Sequence, residues 1–134
     1  MSGITDLNTL LQTLTPRLNP GEYVFCCSPD GVLPPSSELI GSFREEEGLT
    51  LILPEAEARR LGLTYHYRAA WITLQVHSDL AAVGLTAAFA TALAEAGISC
   101  NVIAGYHHDH LFVALQDAQR ALNVLQQLSA RAKA

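Results

Sequence analysis

One stretch limits the possible folds of this chain more than any other. Residues 71–115 read as strand, bend, helix, strand, turn and strand, in that order. Trp71-Ile72-Thr73-Leu74-Gln75-Val76-His77 places Ile72, Leu74 and Val76 on one side at a period of two, the spacing of a half-buried strand. Residues 78–84 then carry the chain through a bend into an Ala-rich helix that ends near Gly97. Ile98-Ser99-Cys100-Asn101-Val102-Ile103-Ala104 alternates again, residues 105–110 turn, and Leu111-Phe112-Val113-Ala114-Leu115 returns. A helix between a strand and a hairpin must pack on the sheet those strands form.

The same order of hairpin and helix occurs earlier in the chain. Residues 40–45 and 49–53 alternate about Glu46-Glu47-Gly48, and a short helix follows, with Pro54 at its first position and Glu55 and Glu57 near its positive end. The later hairpin is followed by a helix with Asp117 as N-cap and Ala118, Ala121, Leu122, Leu125 and Leu128 as its apolar stripe. Arg131 and Lys133 suit its negative end, and the tail is expected to fray. Two hairpin-helix units around the strand 71–77 predict one antiparallel sheet or two abutting ones. At the start, Ile4, Leu7, Leu10 or Leu11, and Leu14 recur at helical spacing, with Ser2 or Thr5 as cap and Pro16 as stop. Asn19-Pro20-Gly21 reads as a turn and residues 22–27 as a strand. Residues 28–37 hold three prolines and read as a loop, and residues 64–70 as a connector.

These residues also carry a resemblance. The run HSDLAAVGLTAAFATALAEAGISCNVIAGYHHDHLFV, with VGLT at the bend and AEAGIS leading into the second strand, resembles a bacterial ACT domain. FREEEGLTL, residues 43–51, resembles a second signature of the same group, stand-alone bacterial proteins with two ACT-like halves in one chain. The resemblance spans most of residues 20–130. It implies an α+β fold of tandem ACT-like (ferredoxin-like βαββαβ) halves, with an antiparallel sheet and helices packed on one face. The halves are then residues 1–68 and 69–134, with the strand 71–77 open to sharing.

Composition narrows the function. The net charge is −5 and no basic stripe occurs, so a nucleic-acid partner is not expected. No apolar run approaches the roughly 20 residues that span a bilayer, and no signal peptide is read in residues 1–14. Cys26, Cys27 and Cys100 lack a paired spacing and read as reduced thiols of a cytoplasmic protein. The helix 86–96 is apolar nearly all round, with Leu85, Phe89, Ala92, Leu93 and Ala96 in several directions. Such a helix is expected to be buried on more than one side, which favours a homodimer.

The bend 78–86 is the first candidate ligand site. Unpaired N–H groups and the helix dipole at a helix start favour a carboxylate, and Gly84 permits close backbone approach. The ACT resemblance points to the same loop: Val83, Gly84, Leu85 and Thr86 would hold a carboxylate, while Asp79 suits an ammonium. The plainer reading is that Asp79 caps a turn and Gly84 eases packing. Asn101 faces away from the apolar side of its strand, towards a ligand or neighbouring backbone. Phe43, Arg44 and Glu45 form the second candidate, with Arg44 suited to a bidentate carboxylate contact; the alternative is a solvated hairpin tip. Ile103, Tyr106 and Phe43 would wall an apolar pocket.

His107, His108, Asp109 and His110 are adjacent in a turn, a poor arrangement for converging on one ion; a polar turn is expected. No hydrolase elbow or nucleotide-binding loop occurs, so neither catalytic residues nor a cofactor is expected. The expectation is a regulatory sensor that binds an amino acid or similar metabolite. The alternatives are a small histidine- or metal-dependent enzyme and a structural dimeric adaptor.

Overall fold

The computed structural model describes residues 6–36, 38–76 and 83–134. Its strands are β1 (Thr15–Ser28), β2 (Gly41–Glu45), β3 (Gly48–Pro54), β4 (Arg68–Gln75), β5 (Asn101–Ala104) and β6 (Asp109–Ala114). Its helices are α1 (Leu7–Thr13), α2 (Glu55–Arg60), α3 (Leu85–Glu95) and α4 (Ala118–Lys133), with a 3-10 turn, Leu115–Asp117, leading into α4. The strands form an antiparallel sheet in the order β2-β3-β1-β4-β6-β5. This is the α+β, ferredoxin-like arrangement anticipated from the hairpin-helix repeat. The chain divides into two compact units: Gly21–Ala69, and the described residues of Met1–Pro20 with Ala70–Ala134.

The discontinuous unit holds the larger core. Ile72, Leu74 and Val76, together with Leu111 and Val113, bury one side of β4 and β6. Leu10 and Leu14, Leu85, Phe89 and Leu93, and Ala121 and Leu125 cover that side from α1, α3 and α4. Each such large side chain removed from water contributes about 1.5–3 kcal/mol. Ser2 and Thr5, the expected caps of α1, lie outside the described residues. Asp6 holds the N-cap position, and its carboxylate accepts from the Thr9 amide at 3.0 Å and the Thr9 hydroxyl at 2.7 Å. The tail expected to fray is helical to Lys133, where the Gln12 amide donates to the Ala132 carbonyl at 3.0 Å. Asp117 stands at the N-cap of α4 without bonding the helix amides and pairs instead with Arg120 at 3.0 Å.

In the Gly21–Ala69 unit, β2 and β3 form the expected hairpin, with Phe43 opposite Thr50 and Arg44 opposite Leu49. β3 pairs on its other edge with β1, Cys26 opposite Leu51 and Val24 opposite Leu53. Leu49, Leu51 and Leu53 pack with Val24, Cys26 and Ala58 of α2. Pro54 is the N-cap of α2 rather than its first helical residue. Ser28, read as the start of a loop, is the last residue of β1; residues 29–36 and 38–40 form neither helix nor strand, and the Asp30 carboxylate accepts from the Val32 amide at 3.1 Å.

One expectation fails for an identifiable reason. Asn19-Pro20-Gly21 lies inside β1, not in a reversal. The Asn19 side chain donates to Thr73 Oγ1 at 2.9 Å and to the Trp71 carbonyl at 3.3 Å, so long-range bonding to β4 overrides the local turn signal. α3 buries a single stripe, Leu85, Phe89 and Leu93, and exposes Thr86, Ala87, Thr91 and Ala94 within this chain.

Candidate functional site

The helix starts differ. α1 has its Asp6 cap, and α2 carries Glu55 and Glu57 in its first turn. α3 starts at Gly84, which has φ 100, no side-chain cap bond and no acidic residue in the first turn. Only glycine adopts that backbone without penalty, and glycine brings no oxygen to the amides of the first turn. The Gly84 carbonyl accepts from the Ala88 amide at 2.9 Å, whereas the amides of Leu85, Thr86 and Ala87 precede the helical ladder. These donors and the dipole make an electropositive spot at the start of α3.

The side chains there divide in two directions. Val83 is 84 % exposed and Thr86 is exposed, while Leu85 is 3 % exposed and belongs to the core. Leu85 therefore offers a ligand its amide and not its side chain. A Cβ on Gly84 would meet Leu7 Cδ2 at 3.2 Å, so the glycine also makes room for α1. Asp79 and the rest of residues 77–82 lie outside the described residues.

Asn101 and Ile103 lie on β5, opposite Phe112 and His110 of β6. The Asn101 amide donates to the Phe112 carbonyl at 3.3 Å, and Ile103 is 38 % exposed. By strand alternation they share the helix-free side of the sheet with Trp71, Thr73 and His110. Phe43, Arg44 and Glu45 belong to the Gly21–Ala69 unit. Register places Phe43 and Glu45 on one side of β2 and Arg44 on the other. The Thr50 hydroxyl donates to the Glu45 carboxylate, and Phe43 is 72 % exposed.

The histidine turn holds more structure than its composition announces. His110 Nδ1 accepts from Trp71 Nε1 at 3.0 Å and lies 3.3 Å from Thr73 Oγ1. Burial holds the His110 pKa below its usual value; the neighbouring His108 charge adds to this and Asp109 opposes it. Burial also pushes Asp109 up. Alternation alone places Trp71, Thr73 and His110 opposite the faces of Ile72 and Leu111, and that was the available signal for this cluster. Among the described residues no group of histidine, cysteine or carboxylate side chains is arranged to hold a metal ion. Cys100 is pushed up to about 11 by burial, and Cys26 is raised for the same reason. Both behave as small apolar residues rather than nucleophiles. No helix among the described residues is long and apolar enough to cross a membrane.

An antiparallel sheet with helices packed against it is the α+β, ferredoxin-like architecture of the ACT fold. The chain belongs to the ACT-domain family, whose models match residues 2–70 and residues 67–127. A solved protein of unknown function from Vibrio cholerae, described as a possible transport protein, is 53% identical with TM-score 0.83, over 96% of this chain and 99% of that one. A protein from Agrobacterium tumefaciens is 15% identical with TM-score 0.67, over 87% of this chain and 89% of that one. The ligand-free regulatory subunit of aspartate kinase from Thermus thermophilus is 9% identical with TM-score 0.62, over 87% and 96% of the two chains. These two likenesses are of fold. No curated protein matches the chain in sequence. ACT domains are regulatory modules that bind small molecules, and this chain shares that regulatory class.

Proposed function

We propose that the protein is a non-catalytic sensor that binds an amino acid, or a close carboxylate-bearing metabolite, at the start of α3. The observation that carries this reading is the α3 N-terminus, with Gly84 at the cap and no acidic side chain in the first turn. A ligand carboxylate would take the place of the missing cap, with the amides of Leu85 and Thr86 as donors. Val83 and Thr86 would border it and Asp79 would meet the ammonium, while Asn101 and Ile103, on the opposite, helix-free side of the sheet, would belong to a separate patch. Arg44, on one side of β2, would be a second place for a carboxylate, with Phe43 and Glu45 on the other side. We read residues 1–68 and 69–134 as the two ACT-like halves of a cytoplasmic homodimer, with the exposed Ala87 and Ala94 side of α3 suited to close packing.

The mechanism is linkage: the ligand bridges two surfaces and stabilises, by mass action, the state in which they touch. A thermal-shift screen against the twenty amino acids tests it. A true ligand at one hundred times its Kd adds about 2.7 kcal/mol. Thr86→Asp supplies the missing negative charge. It should raise the ligand-free Tm, as a first-turn carboxylate contributes about 0.3–1 kcal/mol, and should abolish the ligand shift. Absence of a shift with every amino acid would favour the adaptor reading, and a ligand shift undiminished in Thr86→Asp would remove α3 as the site.

A further inference from the structure

The helix-free side of the discontinuous unit holds an imidazole whose tautomer is dictated by its neighbour. Indole nitrogen is a donor only. Trp71 Nε1 lies 3.0 Å from His110 Nδ1, so Nδ1 is the acceptor and the imidazole proton sits on Nε2. The Thr73 hydroxyl is 3.3 Å from the same nitrogen, and its oxygen already accepts from Asn19 at 2.9 Å. The Thr73 proton is thereby left to point at His110. Three strands converge on this one lone pair: β1 through Asn19, β4 through Trp71 and Thr73, and β6 through His110.

The opposite edge of the ring is confined too. A Cβ on Gly105 would meet His110 Nε2 at 3.1 Å and the His108 carbonyl at 2.8 Å, so the hairpin turn closes over the ring where only glycine fits. The Gly105 amide donates to the His108 carbonyl at 2.9 Å and fixes that turn. Trp71 also stacks on Phe112, with centroids 6.1 Å apart and planes 17° apart.

We propose that Asn19, Trp71, Thr73 and His110 form a proton-operated latch between β4 and β6, closed while the imidazole is neutral and opened when Nδ1 takes a proton. Protonation would set an N–H against the indole N–H and against the donating Thr73 hydroxyl. The ring must then turn or leave, and Trp71 loses its acceptor. Among the described residues, two charged groups act on the ring. Asp109 on β6 favours the cation and His108 in the turn opposes it. β5 contributes no charged residue, Arg17 of β1 is exposed, and Arg68 at the start of β4 is engaged with Glu22 and Glu55. Acid therefore loosens the hairpin β5–β6 without a compensating carboxylate from β4 or β5. This inference stands independently of the ligand site at α3.

Trp71 is the only tryptophan in the chain, so its emission reports the latch directly. Titration of the intact protein from pH 8 to pH 4 should give one change in Trp71 emission, with a midpoint below the ordinary histidine value of 6.5. His110→Gln should lose that step, and His107→Gln should keep it. His108→Gln should move the midpoint upward by removing a competing charge. Nitrogen-15 imidazole spectra of the unmodified protein need no variant: they should show His110 as the Nε2–H tautomer at pH 7.5. An Nδ1–H tautomer, a step that survives in His110→Gln, or a step that coincides with loss of far-ultraviolet circular dichroism would each overturn the latch.

Discussion

The two compact units apply one plan, a hairpin followed by a helix, but consolidate it with different chemistry. In the discontinuous unit, α1, α3 and α4 bury the apolar sides of β4 and β6, and among the described residues fourteen belong to the buried core cluster. In the Gly21–Ala69 unit the cluster among the described residues is smaller: Val24, Cys26, Leu49, Leu51, Leu53 and Ala58. Polar side chains fill the difference. The Tyr65 hydroxyl donates to the buried Glu55 carboxylate, which also pairs with Arg59 at 3.0 Å. Glu57 accepts from the Ser36 hydroxyl of the loop and pairs with Arg60 at 2.6 Å. A short helix that cannot bury much apolar surface is held to its loops by directional bonds. Such bonds depend on pH, whereas apolar packing does not.

The largest expected effects separate the two cores. Phe89→Ala removes a fully buried ring from α3 and should cost about 3–5 kcal/mol. Leu51→Ala removes a fully buried side chain from β3 and should cost about 2–5 kcal/mol, towards the lower end if the smaller core relaxes around the gap. Hydrogen exchange distinguishes their reach. Phe89→Ala should first deprotect amides of β4 and β6, and Leu51→Ala those of β1 and β3. Equal deprotection of all strands by either variant would mean that the contrast in chemistry has no counterpart in local stability.

Much of this arrangement was legible because periodicity survives tertiary folding where an element is long or its turn is local. The alternation Ile72-Leu74-Val76, the stripe Ala121-Leu125 and the Glu46-Glu47-Gly48 turn all read directly. What failed was decided by distant residues. Asn19 looks like a turn former until Trp71 and Thr73 are opposite it. Asp6, rather than Ser2 or Thr5, caps α1, and all three are competent caps by chemistry alone. The candidate site at the start of α3 was legible only as a local conformation, Gly84 before a first turn without an acidic side chain. The latch at His110 needed the pairing of strands far apart in sequence.

The smallest effect tests the polar side of the comparison. The Arg60 hydrogen bond, with that from Ser36, holds the Glu57 pKa at about 2. A carboxylate depressed in the folded state contributes its full stability above the ordinary value of 4.5, and loses it as pH falls through that value towards about 2. His110 behaves in the opposite sense. Its folded pKa is lowered, so stability falls once pH drops below the histidine value of 6.5 and levels off below the folded value. Acid should therefore act on the discontinuous unit first, through His110, and on the Gly21–Ala69 unit later, through Glu57 and Glu55. Glu57→Gln should flatten the fall of Tm between pH 4.5 and pH 2 without altering the Trp71 step at higher pH. The change should shrink in high salt, because Arg60 is 58 % exposed at its side chain and an exposed pair is screened. An unchanged acid limb in Glu57→Gln would place the strength of this unit in its six-residue core and not in the bonds that tie α2 to the loop.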